Sequence, residues 1–379
     1  MSIFQSHIHS DDMSILGRLK QISWGQVFLI CTLASIGFLS LYSAAGGNID
    51  PYASAQITRF LFSLGLLIGI ALLDIRWIFR ATWLLYGGTL FLLLLVDIFG
   101  HVGMGAQRWL DLGVMKLQPS ELAKITTVMA LARFYHGKEL SDARKLKNLI
   151  VPATIILMPM ALVVTQPDLG TGMAIIFAGT AMLFVAGVPL WLFIVGIGAA
   201  AAAIPIAWQF LRDYQKDRVM IFLNPESDPL GAGFHITQSK IALGSGGFSG
   251  KGFLEGTQSH LNFLPEKHTD FIFTLWAEEW GLLGGIGLLS ILTLIILYGY
   301  WIAFRCRSHY ARLLAFGLTV NFSVYIIVNI GMVMGLLPVV GIPLPLMSYG
   351  GTAMLTVMIA FGMIQSCNVH RDARLPRAF

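Results

Sequence analysis

The chain has 379 residues, of which 56% are hydrophobic and only 12% are charged. Water-soluble domains carry about 25% charged residues, so this composition argues against a soluble globular protein and predicts a chain that lies mostly in lipid. The net charge of +5 is modest, and we attribute it to membrane topology rather than to nucleic-acid binding.

The apolar runs predict an all-α, polytopic integral membrane protein. The first run is long enough to span and lacks a small-residue cleavage site, so residues 1–23 are expected to be a retained tail. About 20 apolar residues cross a hydrocarbon core of about 30 Å. Ten runs of roughly this length cover residues 24–43, 56–73, 81–98, 121–136, 149–165, 171–187, 190–208, 282–303, 313–334 and 352–366.

Lys and Arg set the predicted orientation, because cytoplasmic loops carry an excess of them. With the N-terminus inside, the inner segments hold about twice as many of these residues as the outer segments. Most of the outer ones belong to one long loop, which weighs little in this rule. We therefore expect both tails, residues 1–23 and 368–379, in the cytoplasm. Residues 24–367 are expected to form one transmembrane domain, in which residues 209–281 are a large extracytoplasmic loop.

The long loop is rich in both glycine and apolar side chains. Glycines recur from Gly231 to Gly256, and apolar residues such as Phe222, Ile236 and Phe253 lie around and among them. Glycine content alone indicates a flexible linker. Because the apolar residues are too many for a solvated tether, and because long loops without a function are uncommon, we expect the loop to fold over the membrane surface.

The segment EKHTD, residues 266–270, gathers ionisable groups directly before an apolar run. One interpretation is an interfacial cluster in which Thr269 or Asp270 caps the next helix, which would lower the pKa of Asp270. The other is that Asp270 is a carboxylate base at the rim of an outward-facing membrane cavity, with His268 beside it. The residues themselves leave both interpretations open.

The motif QPSELAK, residues 118–124, places Glu121 and Lys124 three residues apart just after a predicted helix start. Side chains at this spacing face each other, so the two can neutralise one another near the interface. Alternatively, Lys124 projects into a polar cavity and meets an anion or another carboxylate.

Two shorter motifs lie at predicted outer turns. In GAQRWLDLG, residues 105–113, Arg108 and Trp109 are typical of an interface anchor, although an arginine can also hold a phosphate bidentately. In QPDLGT, residues 166–171, Asp168 is more often a turn or cap residue than a catalyst.

The stretch GLLPVVGIPLPLMSYGGT, residues 335–352, contains prolines that forbid a regular helix. Non-helical backbone at membrane depth is tolerated where it is buried or lines a wet cavity. We therefore expect a re-entrant outer segment packed under the long loop, in which Ser348 and Tyr349 are polar groups of the cavity. The alternative is a plain proline-rich turn between two spans.

Motifs of soluble nucleotide or zinc chemistry are absent from the sequence. It contains no GxxxxGK[ST] loop, no HExxH and no GxSxG. The cysteines, Cys31, Cys306 and Cys367, lie far apart and indicate neither a metal site nor a disulfide framework.

Six stretches together resemble one protein family. GAQRWLDLG, QPSELAK, QPDLGT, SKIALGSGGFSGKG, FLPEKHTDFIF and GLLPVVGIPLPLMSYGGT occur in this order in the shape, elongation, division and sporulation (SEDS) proteins. The resemblance runs from about residue 24 to residue 367, and six motifs in order are far more specific than any one of them. The short tails and the HTDFIF sequence are most similar to those of the cell-elongation branch, rather than to those of the division branch.

The resemblance implies a peptidoglycan glycosyltransferase of the bacterial inner membrane. Such proteins polymerise lipid II, a disaccharide-pentapeptide on undecaprenyl pyrophosphate, into β-1,4 glycan strands at the outer face. They work beside a class B penicillin-binding protein, a transpeptidase, and other membrane proteins of the elongation complex. The resemblance assigns the family's essential aspartate to Asp270, its membrane Glu and Lys to Glu121 and Lys124, and its outer Arg–Trp pair to Arg108 and Trp109.

The residues agree with this implied chemistry. A carboxylate such as Asp270 can take the proton of the acceptor sugar hydroxyl as it attacks, and attack opposite the departing pyrophosphate inverts the anomeric centre. The pyrophosphate needs positive charge, and the candidates are Arg108, Lys124, Arg218, Lys240 or a divalent cation such as Mg²⁺ or Mn²⁺. A neighbouring Lys124 would lower the pKa of Asp270 and keep it ionised.

Two other functions would use some of the same features. A flippase for the lipid-linked precursor would also need many spans, broken backbone and the buried Glu121 and Lys124, but we find no clear internal repeat. A non-catalytic scaffold for cell-wall enzymes needs no buried charge, and Asp270 would then be replaceable.

Overall fold

The computed structural model of the chain describes residues 14–103, 106–111, 113, 116–210, 213–228, 231–260 and 266–376. The first part of the predicted N-terminal tail, the end of the C-terminal tail and the FLP of the FLPEKHTDFIF motif lie outside the described residues. Helices dominate the described ranges, as the apolar runs predict.

Ten of the described helices correspond to the ten predicted spans. In chain order the helices are α1 (Ile15–Gln21), α2 (Trp24–Ala44), α3 (Tyr52–Leu72), α4 (Ile75–Phe99), α5 (Pro119–His136), α6 (Leu140–Ala143), α7 (Ile150–Thr165), α8 (Leu169–Val185), α9 (Leu190–Phe210), α10 (Asp213–Leu223), α11 (Ala232–Ser245), α12 (Thr257–His260), α13 (Ile272–Arg305), α14 (His309–Val333) and α15 (Gly351–Val369). Seven helical segments are long and apolar enough to cross a membrane: α2, α3, α4, α13, α14, α15, and α7 together with the helical turn Leu146–Leu149 before it. Helix α8 and the part of α9 from Leu190 to Ile206 are shorter apolar helices. Together with α5, these helices confirm a polytopic membrane protein.

A small antiparallel sheet follows α4 and adds to the predicted all-α architecture. Its strands are β1 (His101–Gly103), β2 (Ala106–Asp111) and β3 (Lys116–Leu117), in the order β1-β2-β3. Leu110 of β2 pairs with Leu117 of β3. Such short strands carry too little alternation to be predicted from sequence. The sheet matters because β2 carries Arg108 and Trp109 to the start of α5.

Glycines allow the central helices to approach closely, as is common between membrane helices. Gly37 of α2 faces the backbone of Met347, and Gly362 of α15 faces Ile70 of α3, so closely that an added Cβ would have to displace its neighbour. Helix α15 is almost entirely buried and packs mainly against α3. It therefore lies at the centre of the bundle.

The N-terminal and C-terminal segments meet at one end of the bundle. The side chain of Asn368, at the end of α15, donates to the carbonyl of Gln21 (2.7 Å). The turn after α13 lies at the same end, because the N–H of Arg307 donates to the carbonyl of Arg371 (2.9 Å). Both ends of the described chain therefore lie on one side, as the charge count predicts.

Helix α13 begins at Ile272, earlier than the predicted span, which was expected to begin at residue 282. Two carboxylates made this part of the sequence look too polar for a spanning helix. Both are buried: Glu278 accepts from the ammonium of Lys251 (2.7 Å), and Glu279 accepts from the hydroxyl of Ser43. These partners are distant in sequence, so hydropathy could not reveal them.

A break in α13 marks the position where the span was expected to begin. Gly281 has φ +62° and ψ −159°, a conformation that favours glycine. Backbone of the long loop fills the break: the N–H of Leu282 donates to the carbonyl of Gly247 (3.0 Å), and the N–H of Lys251 donates to the carbonyl of Glu278 (3.1 Å). The loop is thus bonded to both halves of the helix.

The described part of the long loop is folded, as expected, and is not a flexible linker. It contains α10, α11 and α12, and α11 packs on α13. The hydroxyl of Ser239, on α11, donates to the carbonyl of Val333 (2.9 Å) and lies 2.9 Å from the hydroxyl of Thr274. The loop therefore rests on α13 and α14, at the end of the bundle opposite the chain termini.

Candidate active site

The backbone between α14 and α15, residues 334–350, is non-helical and lies against the EKHTD segment. The hydroxyl of Ser348 donates to the carbonyl of Thr269 (2.6 Å). The N–H of Tyr349 donates to the carbonyl of His268 (2.8 Å). The expectation of a broken backbone segment beside the long loop is confirmed, and this segment holds residues 268–270 in place.

Asp270 lies between this segment and the end of α14. Asn329 of α14 donates through Nδ2 to the carbonyl of Asp270 (2.9 Å) and to the carbonyl of Ile342 (2.8 Å). The carboxylate faces Gly341, where an added Cβ would lie 3.4 Å from Oδ2. The N-cap of α13 is Phe271, so Asp270 does not cap the helix. The side chain is instead left facing the re-entrant segment.

Burial raises the pKa of Asp270 to about 6, and the charge of Glu266 acts in the same direction, whereas Arg218 opposes it. This is the opposite of the lowering expected from a helix cap or from a neighbouring Lys124. A carboxylate with this pKa is mostly ionised at neutral pH, yet it is a stronger base than an ordinary aspartate.

The residues directly before Asp270 are also shaped by partial burial. Burial lowers the pKa of His268, with the charge of Glu266 opposing it, so the imidazole is neutral at pH 7. Burial also lowers the pKa of Lys267. The hydroxyl of Thr269 donates to the carboxylate of Glu266 (2.7 Å), which fixes this carboxylate within the segment.

Two cations of the long loop lie around the same segment. Lys240 of α11 is exposed, and its side chain lies over Gly335 at the start of the re-entrant backbone, where an added Cβ would be 2.7 Å from Nζ. Arg218 of α10 is exposed and close enough to lower the pKa of Asp270. The structure therefore brings these two predicted residues towards the Asp270 side of the bundle.

Aromatic rings connect His268 to a cavity beside α3, here called the α3 cavity. Tyr52 of α3 stacks on His268 with ring centroids 4.4 Å apart and lies edge-on to Tyr349 at 5.3 Å. The guanidinium of Arg59 lies 4.8 Å from the centroid of the Tyr349 ring. Beyond Tyr349 a cavity of about 700 Å³ opens between α3, the sheet and the start of α15. Its polar and aromatic walls include Arg59, Trp109, Asp111, Lys116 and Tyr349.

Glu121 and Lys124 form a buried ion pair with Nζ–Oε1 at 2.7 Å, as their spacing predicts. The other carboxylate oxygen accepts from the hydroxyls of Tyr325 and Thr356, the latter at 3.2 Å. The ammonium also lies 4.0 Å from the centroid of the Tyr325 ring. Lys124 is therefore bonded to Glu121, in the core where α5, α14 and α15 meet, and not to Asp270.

Arg108 supports the outer turn before α8. Its guanidinium donates to the carbonyl of Gln166 (3.3 Å) and to the carbonyl of Pro167. Asp168 caps α8 by accepting from the N–H of Thr171 (3.3 Å), in agreement with the cap interpretation. Of the predicted Arg–Trp pair, Trp109 lines the α3 cavity, whereas Arg108 is hydrogen-bonded to the turn before α8.

An apolar groove of about 430 Å³ lies beside the backbone segment that faces Asp270. Val340 forms part of its wall and precedes Gly341, which faces Asp270. The remaining walls are Gly170, Met173, Phe177, Val324, Ile327, Val328, Leu337 and Pro338. Such an apolar lining suits a hydrocarbon chain.

Sequence reasoning missed the role of Asn329 and did not single out Arg59 or Tyr325. Asn329 is a polar residue within the predicted span 313–334, a position that indicates burial against other helices. A polar side chain in an apolar span could have flagged all three. Which partner each one meets depends on how α3 and α14 pack on residues far away in sequence.

Comparison with known proteins gives a consistent result. The sequence matches, over residues 23–373, the family described as "Cell cycle protein" and named for FtsW, RodA and SpoVE. It is 46% identical to the peptidoglycan glycosyltransferase MrdB of Escherichia coli K12, with 93% of this chain and 96% of MrdB covered.

Two solved structures are similar to this fold. One is a chain from work described as the structural coordination of polymerization and crosslinking by a peptidoglycan synthase complex, with a TM-score of 0.79 and 33% identity over 92% of this chain and 98% of that one. The other is the rod shape determining protein RodA of Thermus thermophilus, with a TM-score of 0.69 and 29% identity over 93% of this chain and 98% of RodA.

Proposed function

This chain belongs to the SEDS family of cell cycle proteins that includes FtsW and RodA, and from this premise we infer that it is a peptidoglycan glycosyltransferase. It is a multi-pass membrane enzyme. Its similarity to MrdB and RodA supports membership of the elongation branch, which the HTDFIF sequence also indicates.

We propose that the enzyme polymerises lipid II at the outer face of the inner membrane. A hydroxyl of one saccharide attacks the anomeric carbon of another. The new C–O bond forms as the bond to undecaprenyl pyrophosphate breaks, with inversion. The attacking hydroxyl gives its proton to a base, and the pyrophosphate leaves as the anion.

Asp270 is the proposed base, and one observation carries the proposal. Its carboxylate has a pKa raised to about 6 and faces Gly341 of the re-entrant segment, whose neighbour Val340 lines the apolar groove. A base works best when its pKa is near the working pH. The groove beside Gly341 offers a path for the polyprenyl chain of a lipid-linked sugar.

Lys240 and Arg218 are the proposed partners of the leaving pyrophosphate. Both are exposed cations of the long loop: Arg218 acts on the pKa of Asp270, and Lys240 lies over Gly335 of the re-entrant segment. Lys124, in contrast, is buried and bonded to Glu121. Fixed cations aimed at a developing anion lower the barrier to its departure. The cavity with Arg59, Lys116 and Trp109 would receive the phosphate and sugar of the second lipid-linked substrate.

A divalent cation, Mg²⁺ or Mn²⁺, is a further proposal. Within the described ranges, no group of three or more His, Cys, Asp or Glu residues could hold a metal ion. Magnesium is usually held by one or two carboxylates together with water and substrate phosphates. Asp270 and Glu266 are the carboxylates at this site that would fit such a role.

We further propose that a class B penicillin-binding protein and other membrane proteins of the elongation complex are the partners. The similarity to a chain of a peptidoglycan synthase complex supports this proposal. The folded outer loop, on the same side as Asp270, is a natural place for an extracytoplasmic partner.

The test is polymerisation of lipid II by the purified full-length protein, with and without the transpeptidase. We expect Asp270→Asn to lower the rate by about 10²- to 10⁴-fold, the usual contribution of a general base. Glu226→Gln, which removes another carboxylate of the same loop, is the matched control and should polymerise normally. Polymer from Asp270→Asn at the wild-type rate would sink the assignment of the base.

The same preparations test the two rival functions. Lipid II that crosses a liposome bilayer without polymer formation, in a manner abolished by Glu121→Gln, would favour a flippase. No polymer from any preparation, with cell-wall synthesis unaffected by Asp270→Asn in cells, would favour a scaffold.

A further inference from the structure

A cavity of about 700 Å³, here called the basal cavity, lies at the end of the bundle away from Asp270. It opens where α5 and α8 end, where α14 begins and where the C-terminal segment returns. Its walls are Tyr135, His136, Gly137, Lys138, Glu139, Ala186, Arg307, Ser308, His309, Ala373, Arg374 and Leu375. Asn329, which bonds Asp270, lies 20 residues after His309 on α14, so the basal cavity and the Asp270 site are about 30 Å apart along this helix.

The charged side chains of the basal cavity are mainly cationic. Lys138, Arg307 and Arg374 line it, against the single carboxylate of Glu139 among its wall residues. None of these three cations makes an ion pair with a carboxylate in the part of the chain that the structure describes. An excess of positive charge alone would only mark the cytoplasmic side of a membrane protein. The cavity therefore needs independent evidence for a ligand.

Two buried hydroxyls at the wall provide this evidence. Tyr135 is 3% exposed and Ser308 is 7% exposed. Neither the Oη of Tyr135 nor the Oγ of Ser308 has a hydrogen-bond partner among the described residues. Buried hydroxyls are nearly always hydrogen-bonded in folded proteins, to protein or to water, so these two groups leave hydrogen-bonding capacity at the cavity wall for water or a polar ligand.

Besides the cations and the hydroxyls, the backbone N–H groups at the N-terminus of α14 are a third type of donor at the cavity. Ser308 is the N-cap residue of this long helix, yet its side chain makes no capping hydrogen bond. The N–H of Tyr310 is satisfied by Nδ1 of His136 (3.2 Å). Because Nδ1 of His136 accepts this bond, that nitrogen carries no proton. Helix N-termini with this positive end attract anions, and phosphate above all.

We propose that the basal cavity binds a phosphate group, which is supplied by the headgroup of an anionic phospholipid or by a free phosphate compound. Phosphate accepts hydrogen bonds at several oxygens and matches a site that offers guanidinium, ammonium, hydroxyl and helix N-terminal donors together. The bound group contacts Arg374 of the C-terminal segment and also Arg307 and Ser308 of the turn between α13 and α14. It therefore links these two segments.

Native mass spectrometry of the full-length protein in detergent tests this proposal by binding, independently of polymerase activity. The probes are phosphatidylglycerol and phosphatidylcholine. We expect tight binding of one phosphatidylglycerol, with an affinity that falls roughly tenfold or more in Arg307→Gln and in Arg374→Gln, since each removes a charge-assisted contact. Arg144→Gln, an exposed cation at the same end but outside the cavity walls, is the matched control and should bind as the wild type does.

Inorganic phosphate distinguishes the two sources. If millimolar phosphate displaces the lipid and stabilises the lipid-free protein against heat, a free phosphate compound is the natural ligand. If only phosphatidylglycerol binds, the ligand is a lipid headgroup. Equal binding of phosphatidylcholine, an equal loss in Arg144→Gln, or no binding of either phosphatidylglycerol or phosphate would overturn the proposal. Melting curves of Arg307→Gln and Arg374→Gln without added lipid establish that the variants are folded.

Discussion

Asn329 of α14 hydrogen-bonds the backbone of Asp270, and the same helix also contacts the buried Glu121–Lys124 ion pair. Its side-chain amide donates to the carbonyl of Asp270 at 2.9 Å, and Tyr325, one turn earlier on α14, donates to Glu121. The same amide bonds Ile342 of the re-entrant segment. Helix α14 therefore fixes the backbone of the proposed base relative to both the core of the bundle and the floor of the site.

Asn329→Leu should slow polymerisation while leaving the protein folded. The variant fills a similar volume but leaves the carbonyls of Asp270 and Ile342 without this donor, so the base loses its position. A misplacement of about 1 Å can cost about 10² in rate. We expect kcat for lipid II polymerisation to fall by about 10- to 100-fold. Asn321→Leu removes another buried amide from α14 and should have a smaller effect, and equal losses in both variants would argue against a positioning role.

The rate should depend on pH through the ionisation of Asp270. Only the ionised carboxylate can accept the proton, and its pKa is about 6. We expect kcat/KM to rise as pH increases through about 6 and to level off above about 7. The profile is measured between pH 5 and pH 8 with purified lipid II. A rate that is flat over this range in the wild type would contradict the assigned base.

Asp270→Asn should stabilise the fold at alkaline pH. The folded-state pKa is raised from an ordinary value of 3.8 to about 6, so folding favours the protonated carboxyl. That contribution is fully present below about pH 4 and is lost as pH rises through about 6. An amide resembles the protonated form at every pH. We therefore expect the variant to unfold at a higher temperature than the wild type at pH 8, with the difference shrinking towards pH 4.

Lys124→Ala should destabilise the protein strongly. Removal of one partner from a buried ion pair leaves an uncompensated charge on Glu121, which costs about 3–5 kcal/mol. The double variant Lys124→Met with Glu121→Leu should recover part of this loss. Chemical unfolding in detergent measures both variants. Lys145→Ala breaks the exposed pair with Asp142 and should have little effect, because solvent screens that pair.

Gly341→Ala should impair the site beyond its effect on backbone strain. Gly341 has φ +72°, and an added Cβ would lie 3.4 Å from the carboxylate of Asp270. Gly46 has a similar φ of +71°, but nothing lies within 4 Å of its added Cβ. Both alanine variants should lose about 1 kcal/mol of stability from strain. Only Gly341→Ala should also lower kcat, and equal rates in the two variants would show that the space beside Asp270 is unimportant.

Much of the fold follows from hydropathy, and its failures have one cause. All ten predicted spans contain a helix, because continuous apolar runs dominate the chain. The start of α13 was misjudged because Glu278 and Glu279 look incompatible with a buried helix. Their partners, Lys251 and Ser43, come from a loop and from the first span. A local window cannot see such long-range compensation.

The contacts of the candidate residues were predictable only in part. Spacing alone gave the contact between Glu121 and Lys124, because three residues on a helix fix the geometry. The direction of the pKa shift of Asp270 was not accessible in this way. It depends on burial under the re-entrant segment, and on Lys124 being bonded to Glu121 instead.

The break in α13 makes the outer loop and that helix a single mechanical unit. Leu282, Lys251 and Gly252 join the two through main-chain bonds on both sides of Gly281. A force applied to the loop from outside is therefore carried into the half-helix that starts directly after residue 271. Because Leu282 is bonded to the loop beyond the glycine, a partner that binds the loop would act on both halves of the helix at once, without touching the sugar.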